Sequence, residues 1–209
     1  MLGVPIIQIL AALSLAALVG GFLWGHLLGP ASREVVRVVA RREPGRWTEV
    51  VWVGGSLLAA LWPIGVLLAP VYAYHWPVSP DFPYSAAIQV FGWALSVSGG
   101  LLFFASVRAL GPHMTPAIQV AEGHQLVQVG PYRYIRHPAY TAIVSGAIGQ
   151  SIVYLSPILA LVALVLIGLA VYRAHLEEDL LGSPEGFGEA YSEYVTRTGR
   201  FLPRTRSKP

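Results

Sequence analysis

Four long stretches without a single Asp, Glu, Lys or Arg constrain this chain more than any other feature. They comprise residues 1–32, 50–80, 82–107 and 138–172. A helix crosses the roughly 30 Å hydrocarbon layer of a bilayer with about 20 apolar residues, so each stretch can supply at least one crossing. Only 12% of the 209 residues are charged and 55% are hydrophobic, so the chain is predicted to be an integral membrane protein.

These stretches predict an all-α protein with five transmembrane helices. Helix one is predicted from Pro5 to Leu28, ended by Gly29-Pro30, and it is too long to be the apolar core of an export signal. Helix two is predicted from about Glu49 to Tyr74, and a turn-rich segment then leads into helix three, which ends near Arg108.

The last uncharged stretch predicts a tight helical hairpin. Its 35 residues are interrupted near the middle by Ser156-Pro157, and proline ends or starts a helix more readily than it continues one. Because two crossings barely fit in this length, the second arm is predicted to continue to about Leu181. The extension brings Arg173, Glu177 and Glu178 to the membrane interface or somewhat inside it.

The basic residues are confined to three segments. The 29–49 loop holds five, the 108–137 segment three and the tail from Arg173 six, which accounts for all 14 Lys and Arg residues. The positive-inside rule therefore predicts an external N-terminus and a cytoplasmic C-terminus. The polar segments 109–137 and 173–209 then share the cytoplasmic face.

Composition excludes several classes of site. Cysteine is absent, which excludes a disulfide framework, a thiolate metal site and a cysteine nucleophile. The net charge of +3 does not predict a nucleic-acid partner, because the basic residues flank membrane segments. No metal site is predicted.

Two polar clusters lie on the predicted cytoplasmic face. One contains residues 124–127 and 130–140, and the other contains residues 173–179 and 187–194. Charge alone is equally consistent with Arg133 and Arg136 as headgroup anchors, and His137 before Pro138 could simply cap a helix. Jointly, however, the clusters predict a cavity with cations, anions, imidazoles and Tyr rings beside an apolar bundle. Such a cavity suits a polar cofactor that meets a lipid-like substrate.

The order of the motifs in these clusters resembles the C-terminal catalytic half of the isoprenylcysteine carboxyl methyltransferase family, within a wider group that includes phospholipid N-methyltransferases. The motifs are His124 to Val127, Gly130 to Tyr132, Arg136 to Tyr140, the helical hairpin, Arg173 to Glu178, Phe187 to Tyr194 and Arg200 to Pro203. The uncharged stretches predict a three-helix transmembrane part in residues 1–108. The resemblance implies that residues 109–209 form the catalytic part of the same structural unit.

The resemblance also implies a cytoplasmic pocket for S-adenosylmethionine and a tunnel that admits a lipid tail from the bilayer. The cofactor contacts that it implies are Gln119, His124, Gln125, Leu126, Val127, Tyr132, His137, Pro138, Ala139, Tyr140 and Glu177. It implies a substrate-binding role for Arg173. No Gly-x-Gly-x-x-Gly motif follows a strand, which excludes a Rossmann-type methyltransferase, and Gly182 to Gly188 is interpreted as a turn.

The chemistry of the residues agrees with these roles. Glu177 suits the ammonium group or the ribose hydroxyls of the cofactor, and His137 suits its carboxylate. If the methyl acceptor is a carboxylate, it needs a cation to hold it rather than a base, and Arg173 can grip it with two hydrogen bonds. If the acceptor is an amine, Glu178 or His175 becomes a candidate base. Arg173 and Glu178 are therefore the predicted catalytic residues.

The alternatives differ in class. The leading prediction is a membrane methyltransferase that O-methylates the carboxyl group of a prenylcysteine-like acceptor, while phospholipid amines and small hydrophobic amines, acids or thiols stay open as acceptors. Sterol reductases share part of the C-terminal architecture, but their chains have about twice as many helices. A non-catalytic membrane subunit is the remaining alternative. Another alternative is that Arg173 and Glu177 form only a surface ion pair. The order of the two residues makes this pair less favourable, because the acid lies C-terminal to the base.

Overall fold

The computed structural model describes residues 1–28, 37–74, 82–115 and 117–204, and its main elements are helices. The helices are α1 Val4–Leu28, α2 Arg46–Leu68, α3 Pro70–Ala73, α4 Ser85–Leu110, α5 Pro138–Val153, α6 Pro157–Leu181 and α7 Glu189–Arg197. Two single 3₁₀ turns cover Gly111–His113 and Gly130–Arg133. The predicted end of helix one at Gly29-Pro30 lies outside the described residues, as do residues 75–81 of the predicted turn-rich segment 75–83.

Three helices are long and apolar enough to cross a membrane by length and composition. They are Arg46–Leu68, Ser85–His113 and Pro157–Leu181, of which the second includes the 3₁₀ turn after α4. Within α1, the apolar segment Val4–Gly20 is shorter than these three helices, and α5 has 16 residues. The mostly helical fold and its membrane character are thus confirmed, while five crossings and their orientation stay a prediction.

The hairpin prediction is confirmed, and the boundary of helix two is corrected. The chain turns between α5 and α6, where the Ser156 hydroxyl accepts a hydrogen bond from the Leu159 amide at 3.3 Å, and α6 runs on to Leu181 as predicted. The second helix ends at Leu68 rather than Tyr74. Pro70 disfavours helical geometry in the residue before it, and Ala69 accordingly adopts φ −145° and ψ 65°.

A small sheet corrects the all-α prediction. Strand β1 at Val38–Arg42 pairs antiparallel with strand β2 at Ile118–Ala121, with Arg42 opposite Ile118 and an irregularity between Val38 and Ala40. Both strands lie in segments that the sequence analysis left as polar connections. The inward side chains of Ile118 and Val120 pack with Leu180. The sheet is therefore fixed against the polar end of α6.

Glycines allow α4 and α5 to pack with their backbones close together. A Cβ atom on Gly99 would lie 2.8 Å from the Ala142 carbonyl oxygen, and one on Gly149 would lie 2.5 Å from the Ser96 amide nitrogen. Small residues permit such close approach of apolar helices. The packing fixes the start of α5, which carries His137, relative to the rest of the bundle.

Candidate active site

A cavity lies where β2, the 124–127 loop, the 3₁₀ turn at Gly130–Arg133, the first turn of α5, the end of α6 and α7 meet. The predicted cofactor residues that line it are Gln119, His124, Gln125, Leu126, Val127, Tyr132, Tyr140 and Glu177. Side chains that the sequence analysis did not assign to the cofactor also line it, including His113, Arg136, Phe187, Tyr191 and Tyr194. Segments that are far apart in the sequence are thus brought to one place.

The wall of this cavity, as far as the structure describes it, does not include His137, Pro138 or Ala139. His137 is the N-cap residue of α5, but its side chain does not cap the helix. Its Nδ1 lies 3.5 Å from Glu177 Oε2, and its ring stacks on Tyr140 with centroids 5.4 Å apart and planes 5° apart. His137 therefore contacts Glu177 and Tyr140, two residues of the cavity wall, without lining the cavity itself.

The electrostatic balance at His137 favours the protonated imidazole. Burial lowers the pKa of His137, but hydrogen bonds with Glu177 and Glu178 and the charges of these two carboxylates outweigh it, so the pKa lies above its ordinary value. A protonated imidazole donates from both ring nitrogens. His137 can thus hold both carboxylates at once.

Glu178 binds three basic side chains. Its Oε1 accepts from Arg136 Nε at 2.9 Å and lies 3.1 Å from His137 Nε2, while its Oε2 accepts from Arg200. The His175 ring lies next to this group, with Nε2 3.1 Å from Arg200 Nη1. Glu178 is not part of the described cavity wall. Its catalytic role stays a prediction.

The segment after α7 is bound along the 134–137 segment. The Arg136 amide donates to the Gly199 carbonyl at 2.8 Å, and the His137 amide donates to the Arg200 carbonyl at 3.0 Å. The Arg136 guanidinium also donates to the Thr198 carbonyl at 2.6 Å. These bonds hold α7 over the cavity and present Tyr191 and Tyr194 to it.

Arg173 is buried beside the cavity rather than in its wall. Its side chain is 3% exposed, and its Nη1 lies 2.5 Å from Oε1 of Glu49 on α2. The guanidinium carbon lies 5.4 Å from the centroid of the Trp52 ring and 5.9 Å from that of the Tyr140 ring. Tyr140 lines the cavity, so one ring separates the buried cation from the pocket.

Another part of the cavity wall is formed by imidazole and phenol rings. The rings of His113 and His124 stack with centroids 5.1 Å apart, and burial, followed by the charge of His113, lowers the pKa of His124. His124 Nδ1 is buried and has no hydrogen-bond partner in the described structure. Burial also raises the pKa of Tyr132 and brings that of Tyr194 to about 12, so both phenols are neutral at physiological pH.

A comparison with known protein families matches the hairpin and most of the cavity segments. Residues 92–183 match the model of the isoprenylcysteine carboxyl methyltransferase family. This part of the chain is thus similar to that family. The matched segment contains every site residue that the sequence analysis predicted, from Gln119 to Glu178.

Several curated members of the isoprenylcysteine carboxyl methyltransferase family are similar to the chain. Protein-S-isoprenylcysteine O-methyltransferase B of Arabidopsis thaliana is 27% identical over 141 residues, which is 66% of each chain. The Homo sapiens protein-S-isoprenylcysteine O-methyltransferase is 29% identical over 126 residues, 59% of this chain and 44% of the human protein. The Xenopus laevis enzyme is 27% identical over 128 residues, 60% of this chain and 44% of the relative. The chain thus spans less than two thirds of these relatives.

Sequence reasoning missed several residues in and beside the cavity. Glu49 was noted only as the start of helix two, and Trp52 and His113 were not noted. An acidic residue directly before an uncharged stretch was a usable signal, because ionisable groups at a membrane boundary are functional candidates by default. His113 offered no such signal, because only the tertiary packing brings it against His124.

Proposed function

We propose that this protein is a member of the isoprenylcysteine carboxyl methyltransferase family. In this proposal it is an integral membrane enzyme that uses S-adenosylmethionine to O-methylate the carboxyl group of a prenylcysteine-like acceptor. One observation carries the proposal. Glu177 on the cavity wall and the buried Arg173 lie one turn apart on α6, and Tyr140 contacts the cavity and the Arg173 guanidinium alike. An anionic site for a cofactor and a cationic site for an acceptor are thus adjacent.

The cavity wall fits the proposed cofactor chemically. Glu177 is an acceptor for an ammonium group or ribose hydroxyls, and the Tyr132 and Tyr140 rings offer faces for an adenine or a sulfonium. Nδ1 of His124 is buried and has no partner among the described residues, so it offers a hydrogen-bonding group to a polar ligand edge. When bound, the cofactor supplies an electrophilic methyl group on a positively charged sulfur.

The chain's own residues would then hold and align the acceptor. Arg173 stays protonated and can bind a carboxylate through two parallel hydrogen bonds, which fixes the attacking oxygen. A carboxylate needs no general base. The aromatic rings around the guanidinium exclude water, and a dry site favours a displacement in which the charges of nucleophile and sulfonium cancel.

The contacts of Glu178 favour a carboxylate acceptor over an amine. An amine must lose a proton during methylation, and Glu178 is one of the two candidate bases. Its oxygens already bind Arg136, His137 and Arg200, so they are engaged in holding the 134–137 segment to α6. We propose that Glu178 contributes through this support of His137.

The membrane context supports a lipid-like acceptor. Three helices long and apolar enough to cross a bilayer stand next to the site, and α6 itself carries Arg173 and Glu177 at its polar end. An apolar tail could lie among these helices while its headgroup reaches Arg173. By the positive-inside rule, this end is proposed to face the cytoplasm.

The test combines binding and transfer. Purified protein in detergent is titrated calorimetrically with S-adenosylmethionine, S-adenosylhomocysteine and NADPH, and labelled cofactor is then offered with N-acetyl-S-farnesylcysteine, its carboxamide or phosphatidylethanolamine. We expect the two sulfur compounds to bind, NADPH not to bind and label to appear only in the carboxylate probe. Binding of NADPH alone would support a reductase, and the absence of all binding and transfer would support a non-catalytic subunit.

A further inference from the structure

The ion pair between Glu49 and Arg173 joins two helices across the site. Glu49 lies in the first turn of α2, and Arg173 lies near the end of α6, 124 residues later in the sequence. The Oε1 to Nη1 distance of 2.5 Å makes this a close, charge-assisted contact. The Glu49 carboxylate thus binds Arg173, the same cation to which the proposed function assigns the carboxylate of the acceptor.

The two partners differ in their surroundings. The Arg173 side chain is 3% exposed and lies beside the Trp52 and Tyr140 rings, whereas the Glu49 side chain is 37% exposed. A buried guanidinium needs an anionic partner at all times, because an uncompensated buried charge is costly. A partly exposed carboxylate can turn into water and be rehydrated. The pair is therefore built so that one anion can replace another on a fixed cation.

We propose that Glu49 occupies the acceptor-carboxylate position on Arg173 in the free protein and that the acceptor carboxylate displaces it. This inference rests on the proposed function of Arg173. Glu49 keeps the buried cation paired in the free protein and competes with the acceptor carboxylate for it. A neutral amide, ester or amine cannot replace the charge of Glu49, so such a lipid leaves the ion pair in place and gains no contact with Arg173.

Binding without turnover tests the inference. The affinities for N-acetyl-S-farnesylcysteine and for its carboxamide are measured calorimetrically, with S-adenosylhomocysteine present, in the wild type, Glu49→Gln, Glu49→Asp and Glu43→Gln. Glu43 is the matched control, because its carboxylate lies six positions earlier, pairs with Arg41 at 3.4 Å and is 75% exposed. Thermal unfolding reports whether each variant is folded, and Glu49→Asp carries the test if Glu49→Gln does not fold.

We expect Glu49→Gln to bind the carboxylate probe about tenfold more tightly than the wild type, because it removes a charged competitor whose hydrogen bond must be broken. Carboxamide affinity should stay unchanged, and Glu49→Asp should show a smaller gain. Glu43→Gln should behave as the wild type. An equal change for both probes, an unchanged or weakened carboxylate affinity, or no binding of either probe to any variant would overturn the inference.

Methyl transfer measured in the same proteins separates the two proposals. Suppose that Glu49→Gln binds the carboxylate probe more tightly, but neither the wild type nor any variant transfers a methyl group. This result would support the role of Glu49 and refute the proposed reaction. The opposite result is that the wild type transfers the methyl group, while Glu49→Gln has the same ratio of carboxylate to carboxamide affinity as the wild type. That result would support the proposed reaction and refute the role of Glu49.

Discussion

His137 Nε2 lies 3.1 Å from Glu178 Oε1, which ties the start of α5 to the polar end of α6. Both side chains are shielded from solvent, with 2% and 13% of their surfaces exposed. Arg136 and Arg200 bind the same carboxylate, so one acidic side chain holds the hairpin, the 134–137 segment and the segment after α7 together. The stability of the cavity should therefore depend on this carboxylate.

We expect Glu178→Gln to lower the free energy of unfolding by about 3 kcal/mol, because it leaves shielded cations without their counter-charge. Thermal unfolding in detergent measures the effect. The matched control is Glu193→Gln, which breaks an exposed i,i+4 pair with Arg197 and should cost less than about 1 kcal/mol. Equal losses in the two variants would show that the Glu178 network does not hold these segments together.

Glu177→Gln should weaken the binding of S-adenosylhomocysteine about tenfold while the fold is retained. The amide keeps the shape of the side chain but loses the charge that an ammonium group or the protonated His137 would use, and a charge-assisted hydrogen bond contributes about 1.5–3 kcal/mol. Isothermal titration calorimetry checks the affinity, with Glu43→Gln as the charge-matched control. An unchanged affinity in Glu177→Gln would remove Glu177 from the proposed cofactor site.

His124 should contribute a loss of stability in mildly acidic solution, opposite in direction to the contribution of His137, whose pKa is raised. The pKa of His124 is lowered in the folded protein by burial and by His113, so below its ordinary value of 6.5 the unfolded chain binds a proton that the folded chain resists. The folded state therefore loses stability as the pH falls from 6.5 through the lowered pKa. Between pH 7.5 and 5.5, the melting temperature should fall less in His124→Gln than in the wild type. Equal falls would contradict the conclusion that His124 is a buried, neutral imidazole in the folded protein.

The features that the sequence predicts correctly are those that depend on neighbouring residues. Uncharged runs define the apolar helices, and Ser156-Pro157 defines the hairpin through local backbone preferences. The motif order likewise predicts which segments contribute to the cavity. All of these signals lie within short windows of the chain.

Pairings between distant segments could not be predicted in the same way. Strand β1 meets β2 across about eighty residues, and each is too short and too weakly patterned to stand out from a loop. The partner of Arg173 could not be predicted either. The helical spacing indicates Glu177, whereas the packing of the helices brings Glu49 to the guanidinium. His137 shows the same limit: it stands at a helix start, but its partners come from α6.

The orientation proposed from the basic residues can be tested with tags. Accessible tags at the C-terminus and in the 33–46 loop should be cytoplasmic, and a tag in the 75–81 segment should be external. The physical reason is the cost of moving Lys and Arg across the membrane during insertion. Protease protection or site-specific labelling in sealed vesicles measures each position, and the reversed pattern would refute the proposed topology.

Arg173→Lys should reduce turnover on a carboxylate acceptor by about a hundredfold while cofactor affinity changes little. Lysine keeps the positive charge but loses the planar guanidinium, which can bind a carboxylate with two hydrogen bonds and which lies beside the Trp52 and Tyr140 rings. The acceptor would then be held loosely, and a misplacement of about 1 Å can cost about a hundredfold in rate.

The measurement is the rate at saturating cofactor and acceptor, with S-adenosylhomocysteine affinity as the readout of an intact pocket. Arg197→Lys is the matched control, because Arg197 is 57% exposed and pairs only with surface Glu193 among the described residues. A residue that merely anchors α6 at the membrane surface would accept lysine without loss, because the charge is retained. Wild-type turnover in Arg173→Lys would therefore remove Arg173 from the proposed mechanism, and with it the main reason to prefer a carboxylate acceptor over an amine.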